Sequence, residues 1–271
     1  MTSLIPQKKF SQNFLVNIGM QEKIFKTFQT FLGDTKSPLI EIGPGRGDMT
    51  QNLIKLNLPL TCLELDPQAI EYLNHKNYIL DNPNIELRLV DALEQLEISN
   101  NPTLPKNFNL FSSLPYSTGS RMLVAMGINY PESSFGVIVQ KEVAQKTKIE
   151  ENKITLFGIW LNLIWDTKLT FNIAPGNFYP APSVMSSFLT GRSKTRLPDF
   201  LDNSTKRQNV LNLLHKLVAQ PKKTLANNLK AILPNRELVY DFLDSLEIDH
   251  KERLSYENYY PVIEQLTKKG Y

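Results

Sequence analysis

The sequence predicts an α/β protein, a doubly wound and largely parallel sheet followed by a small all-helical C-terminal domain. Three observations carry this. Short β-rich runs alternate with helical patterns over the first two-thirds of the chain, the signature of strands joined by crossover helices. Strand patterns stop near Gly191, and from Arg192 onward only helical spacing remains. Glycines and single acidic residues recur where the strands end, and in open α/β sheets ligands lie beyond the carboxyl ends of the strands. We therefore expect two domains, 1–192 and 193–271.

The elements follow in order. Residues 38–43 read as a buried strand ending in a Gly-rich turn, and residues 49–56 as a helix with Met49, Leu53, Ile54 and Leu56 on its apolar side. Residues 60–64 form a second strand. Pro67 then opens a helix, at the position where a missing N–H is harmless. Residues 85–90, 108–111, 135–139 and 184–190 supply further strands. Beyond the boundary, residues 210–218, 225–233, 237–246 and 256–268 carry helical spacing.

Composition narrows the function. The chain of 271 residues carries 30 Lys+Arg against 27 Asp+Glu, a net charge of +3, which neither announces nor excludes a nucleic-acid partner. The charge is uneven: the stretch from Arg192 to Lys230 has nine basic and two acidic residues. Such a stretch is either a solvated helical face or a phosphate-contacting surface. The single cysteine, Cys62, excludes an intrachain disulfide and a Cys-rich metal cluster. His75, His215 and His250 are too scattered for a metal site. Residues 1–14 contain no signal-peptide stretch, and the most apolar run, 156–165, is too short to span a bilayer. We expect a cytoplasmic monomer without membrane contact.

Four groups fall at strand ends. The first is the turn Glu41-Ile42-Gly43-Pro44-Gly45-Arg46-Gly47, where glycine permits positive φ and close ligand approach. Its spacing differs from the dinucleotide fingerprint G-x-G-x-x-G. The second is Glu64, with Asp66 behind it, about 20 residues on, where an acid can accept ribose hydroxyls. The third is Asp91-Ala92, placed to accept from an adenine amine. The fourth is Ser113-Leu114-Pro115-Tyr116. In register, the four describe an adenosine-containing ligand lying along the sheet edge. NAD and S-adenosylmethionine both meet that description.

Two further motifs decide between them. Lys8-Lys9-Phe10-Ser11-Gln12-Asn13-Phe14-Leu15 precedes the first strand, and Phe178-Tyr179-Pro180-Ala181-Pro182-Ser183-Val184-Met185-Ser186 precedes the last. With the glycine turn and Leu-Pro-Tyr, this set resembles the ribosomal RNA adenine dimethyltransferases over almost the whole chain. Val139-Gln140-Lys141-Glu142-Val143-Ala144, Pro221 to Leu229 and Arg253-Leu254-Ser255 resemble the branch acting on small-subunit RNA. The macrolide-resistance branch, acting on large-subunit RNA, is the alternative, as is an rRNA-binding assembly factor with weak catalysis.

The resemblance implies a Rossmann-like methyltransferase sheet, S-adenosylmethionine as cofactor and small-subunit rRNA within a pre-ribosomal particle as partner. It implies that Gln12, Asn13 and Leu15 close over the cofactor. Gly43 and Gly45 would flank its methionine part with Glu41 nearby, Glu64 would hold the ribose, and Asp91 with Ala92 would hold the adenine. Tyr116 and Phe178 would stack on a target adenine, and Ser113, Leu114 and Pro115 would complete the catalytic turn. A stacked adenine cannot present its amine, so the base must be turned out at the cost of a few kcal/mol. Stacking on an aromatic returns about 1–3 kcal/mol. The chain departs from the family at Ser113, where an Asn is expected. Serine keeps an acceptor oxygen but lacks the reach and geometry of the amide.

Overall fold

The computed structural model describes residues 4, 6, 12–101, 103–148 and 154–271. Residues 8–11 of the N-terminal motif lie outside them. The chain divides into two compact units. The first runs through Gln145 and resumes over Trp165–Ser193, and the second holds Lys146–Ile164 and Lys194–Tyr271. The stretch 146–164, expected in the first domain, thus groups with the C-terminal helices. Its helix Leu156–Ile164 is almost wholly buried, and an all-round apolar helix needs cover on every side.

In chain order the strands are β1 (Phe14–Leu15), β2 (Leu39–Ile42), β3 (Leu60–Glu64), β4 (Ile85–Leu89), β5 (Asn109–Ser113), β6 (Ser134–Gln140), β7 (Trp165–Ile173), β8 (Phe178–Tyr179) and β9 (Ser186–Ser193). Seven of them form one sheet in the order β4-β3-β2-β5-β6-β9-β7. The first five are parallel to one another, and β9 runs antiparallel to both its neighbours. The remaining two, β1 and β8, pair as a separate antiparallel ribbon. All four residues of β2 are buried, as a central parallel strand covered on both faces requires.

Several elements differ from expectation. β7 was not anticipated, because the apolar run before it reads as one segment. In fact Leu156–Ile164 is helical and the chain turns to strand at Trp165. The helix expected over 225–233 ends at Leu229, and the late strand starts at Ser186 rather than residue 184.

The first-unit core forms where the helix Ile18–Leu32 meets the sheet. Asn17 caps that helix by accepting the N–H of Met20 at 2.9 Å. Ile24, Phe28 and Leu32, one helical turn apart, enter a cluster with Phe111 and Phe188. Gly136 on β6 makes room: a Cβ there would stand 2.4 Å from the Phe28 ring.

In the second unit, Asn203, Thr224 and Asn235 each accept a backbone N–H at the start of a helix. Val210, Leu213, Leu214 and Leu217 of the helix Ser204–Leu217 are buried. Among the described residues no helix is long and apolar enough to cross a membrane, and no cluster of His, Cys, Asp and Glu could hold a metal.

Candidate active site

The chain order of the parallel strands reverses between β2 and β5. At such a switch point the connections leave in opposite directions and open a crevice at the carboxyl ends. A cleft open to solvent lies there. Residues just beyond β2, β3, β4 and β5 line it: Gly43 and Gly45, Glu64, Asp91 and Ala92, then Ser113, Leu114, Pro115 and Tyr116. Gln12, Asn13 and Phe14 contribute from the N-terminal side. The four strand-end groups separated in sequence are therefore brought to one cavity.

The glycine turn is held in a left-handed conformation, with φ of +67° at Gly43 and +56° at Gly45. A Cβ on Gly43 would meet nothing within 4 Å, so the backbone faces open space that a ligand can enter. A Cβ on Gly45 would instead stand 2.8 Å from the Phe14 ring. The Arg46 guanidinium covers that ring at 4.8 Å.

Glu64 is buried, and burial raises its carboxyl above the usual range against the pull of three backbone donors. Oε1 accepts the N–H groups of Leu65 and Asp66, both at 2.9 Å, and Oε2 that of Gly45 at 3.1 Å. A carboxylate offers about four acceptor sites. Glu64 therefore keeps room on Oε2 for one hydroxyl without surrendering a backbone bond. The fully buried Asp66 accepts Gln12 Nε2 at 2.8 Å and the Gln68 N–H at 3.0 Å. This ties the N-terminal segment to the end of β3. Asp91 caps the helix Ala92–Glu97 through Oδ1, which accepts the Leu93 N–H at 2.8 Å. Its Oδ2 remains to accept an amine.

At the end of β5, Ser113 Oγ has no hydrogen-bond partner among the described residues. Leu114 donates its N–H to Ile138 at 3.0 Å, which fixes the turn, while its carbonyl accepts no described bond. Tyr116 lies half-buried, its hydroxyl 2.7 Å from Oγ of the fully buried Ser186. Burial pushes that phenol up.

Three expected residues lie outside the cleft lining. Glu41 is buried, its Oε2 accepting from Thr50 Oγ1 at 2.7 Å and from Cys62 Sγ at 3.6 Å. The pleat of β2 gives its cleft-facing end to Ile42 instead. Leu15 and Phe178, directly opposite in the β1–β8 ribbon, share a face and both enter the apolar core. Sequence reasoning also missed Leu63, Leu65, Val90 and Met122, which form the apolar walls. Adjacency to the acidic strand-end residues was the available signal for the first three.

A doubly wound sheet with carboxylate acceptors gathered at its switch point defines a Rossmann-like α/β protein with a strand-end cleft. Comparison with known proteins narrows that class. The profile of the ribosomal RNA adenine dimethylase family matches residues 6–268. The chain belongs to this family and is an rRNA adenine dimethyltransferase. It is 28% identical over 247 residues to a ribosomal RNA small subunit methyltransferase A of Campylobacter hominis, covering 90% of this chain and 88% of that one. It is 30% identical over 259 residues to the protein of the same name from Chlamydia caviae, covering 92% and 86%. Among solved structures, a dimethyladenosine transferase from Plasmodium falciparum shares the fold with a TM-score of 0.75 at 19% identity, over 95% of this chain and 98% of that one. The 23S rRNA methyltransferase ErmE shares it with a TM-score of 0.68 at 20% identity, over 94% and 100%.

Proposed function

We propose that this protein transfers methyl groups from S-adenosylmethionine to the exocyclic amines of two adjacent adenosines near the end of small-subunit rRNA, within a pre-ribosomal particle. The observation that carries this is the convergence of Gly43, Gly45, Glu64, Asp91 and the turn 113–116 on one cleft at the switch point. The small-subunit names of the relatives support the substrate. The cofactor supplies an electrophilic methyl group.

This chain's residues do the rest. Asp91 Oδ2 accepts the adenine amine of the cofactor, Glu64 Oε2 one ribose hydroxyl, and Gly43 gives its open backbone to the methionine end. Gln12 and Asn13 cover the cleft. Tyr116, held by Ser186, presents a fixed ring to the target base. The amine's lone pair is delocalised into its ring, so it attacks poorly. An acceptor on each of its hydrogens localises that pair toward the methyl. The unengaged Leu114 carbonyl is one acceptor and Ser113 Oγ the other. Holding donor and acceptor in line supplies much of the rate, and misplacement by about 1 Å can cost on the order of a hundredfold.

In this reading the first unit, through Gln145 and over Trp165–Ser193, binds the cofactor, and the second, Lys146–Ile164 with Lys194–Tyr271, binds RNA. The test is mass spectrometry of small-subunit rRNA after incubation with the protein and S-adenosylmethionine. Dimethyladenosine at an adjacent pair is expected, and unmodified RNA would overturn the proposal. Ser113→Asn run alongside reads the departure: a gain in rate shows that the short hydroxyl limits the chemistry.

A further inference from the structure

The second unit has a cavity of its own, lined entirely from within its C-terminal stretch. Three elements wall it: the short turn Asp199–Leu201, the helix Ser204–Leu217 and the helix Tyr259–Lys268. Its aromatic side holds Phe200 and Tyr260, whose ring centroids lie 5.7 Å apart with the planes at 60°. Tyr271 joins them because the last helix ends in a fixed turn. Gly270 takes a φ of +84°, and Tyr271 donates its N–H to the Leu266 carbonyl at 3.1 Å, the closing bond of a Schellman cap. Tyr260 is 39% exposed and Tyr271 43%, so water covers a large part of both rings. Neither hydroxyl has a hydrogen-bond partner among the described residues.

The polar side carries one amide and three cations. The Asn209 amide has no partner among the described residues. Lys206 Nζ donates to the Asp199 carbonyl at 2.9 Å and lies 3.6 Å from the Asp202 carboxylate. Arg196 stands 3.6 Å from Asp199 and Lys268 3.3 Å from Glu264. Solvent-exposed pairs of this kind contribute little, so Arg196 and Lys268 can turn to a phosphate. The helix Ser204–Leu217 has no acidic residue. Asn209, Asn212 and Lys216, spaced to share one of its faces, are all exposed. A polyanion can therefore leave the cavity along this helix without meeting one of its side chains of like charge. An aliphatic ligand would leave the rings and the amide unused, and a simple anion would leave the rings unused. A nucleotide engages all three, with a flat base for the rings, a donor–acceptor edge for the amide and a phosphate for the cations.

We infer that this cavity holds one unpaired nucleotide of the rRNA, separate from the adenosines being methylated, with its base against Tyr260 and Tyr271, its edge on Asn209 and its phosphate on Arg196 and Lys268. The inference rests on the proposed rRNA substrate and adds a second point of contact to it. Three variants test it: Tyr260→Ala, Tyr271→Ala and Tyr260→Phe. They are measured for equilibrium binding to unmethylated small ribosomal subunits, for KM and kcat in methyl transfer to them, for S-adenosylmethionine affinity by calorimetry and for Tm. Each alanine variant is expected to weaken particle binding and raise KM by about fivefold or more, with kcat and cofactor affinity unchanged. Tyr260→Phe keeps the ring and should keep both values. Tyr271→Ala touches only the final turn, so it reads the ring's role even where Tyr260→Ala lowers Tm. A photoreactive benzophenone side chain at position 271 should capture RNA on irradiation of the complex. Unchanged particle binding in both alanine variants would overturn the inference, as would capture of a ribosomal protein or of nothing. Particle binding and capture are read without methyl transfer. Failure of the function itself is therefore distinct, and shows as rRNA left unmethylated by the unchanged protein.

Discussion

Individual side chains set the chemistry through where their burial leaves them. Glu41 is the clearest case. Burial raises its carboxyl from 4.5 to about 7, against hydrogen bonds from Thr50 and Cys62. A carboxyl whose folded pKa exceeds its unfolded value binds more protons when folded, so this group loses the protein stability as pH rises through that window. Glu41→Gln keeps an acceptor for Thr50 Oγ1 and removes the titration. The variant should therefore gain on the unchanged protein between about pH 5 and about pH 8, by up to ~3 kcal/mol. Urea unfolding of both proteins at the two pH values checks this. Ser186 acts through Tyr116. Ser186→Ala should free the ring and lower kcat for the particle while leaving cofactor affinity in place, and Ser186→Thr should rescue in part. Steady-state kinetics beside calorimetry separates that from a general loss of structure.

At the scale of elements, the cleft depends on how closely helices and strands approach. Gly136 admits the Phe28 ring to within van der Waals reach of β6, and a methyl group there would stand 2.4 Å from it. Gly136→Ala should cost about 1–3 kcal/mol, the range for an overpacked core, visible as a lower urea midpoint. In the second unit the helix Ser204–Leu217 begins with Asn203 accepting the Lys206 N–H at 2.9 Å. Asn203→Ala should destabilise by about 1 kcal/mol, and circular dichroism against temperature would show it. Much of this level was legible in the sequence. Central strands have both faces covered and read as unbroken apolar runs, so β2, β3 and β6 stood out. β7 did not, although Trp165, Leu169, Phe171 and Ile173 alternate along it. The preceding apolar helix runs into it without a Gly or Pro to mark the change.

Over the whole molecule, charge counts needed the structure to acquire meaning. Of the nine basic residues from Arg192 to Lys230, Arg207 is buried and donates to the Leu201 carbonyl at 2.7 Å. Arg192 lies over the Phe31 ring at 4.5 Å. Lys216, Lys222 and Lys223 are exposed, and these can meet phosphates. Replacing Lys222 and Lys223 with alanine should weaken particle binding and lower its logarithmic salt slope by about 1–2, with cofactor affinity untouched. Binding titrations at several salt concentrations measure that slope.

The sequence by itself determined the alternation of strands and helices, the two-part organisation, the strand-end acceptors and the family, because these depend on local periodicity and on short motifs. Tertiary structure alone decided which motif residues meet. Pairing of β1 with β8, distant in sequence, sent Phe178 and Leu15 into the core and Tyr179 to the surface. The pleat of β2 took Glu41 out of the cleft lining, onto Thr50 and Cys62. The stretch 146–164 joined the C-terminal helices because its apolar surface needed cover. A side chain's face is fixed by the register of its strand against a partner, and register is a property of the pair rather than of either segment alone.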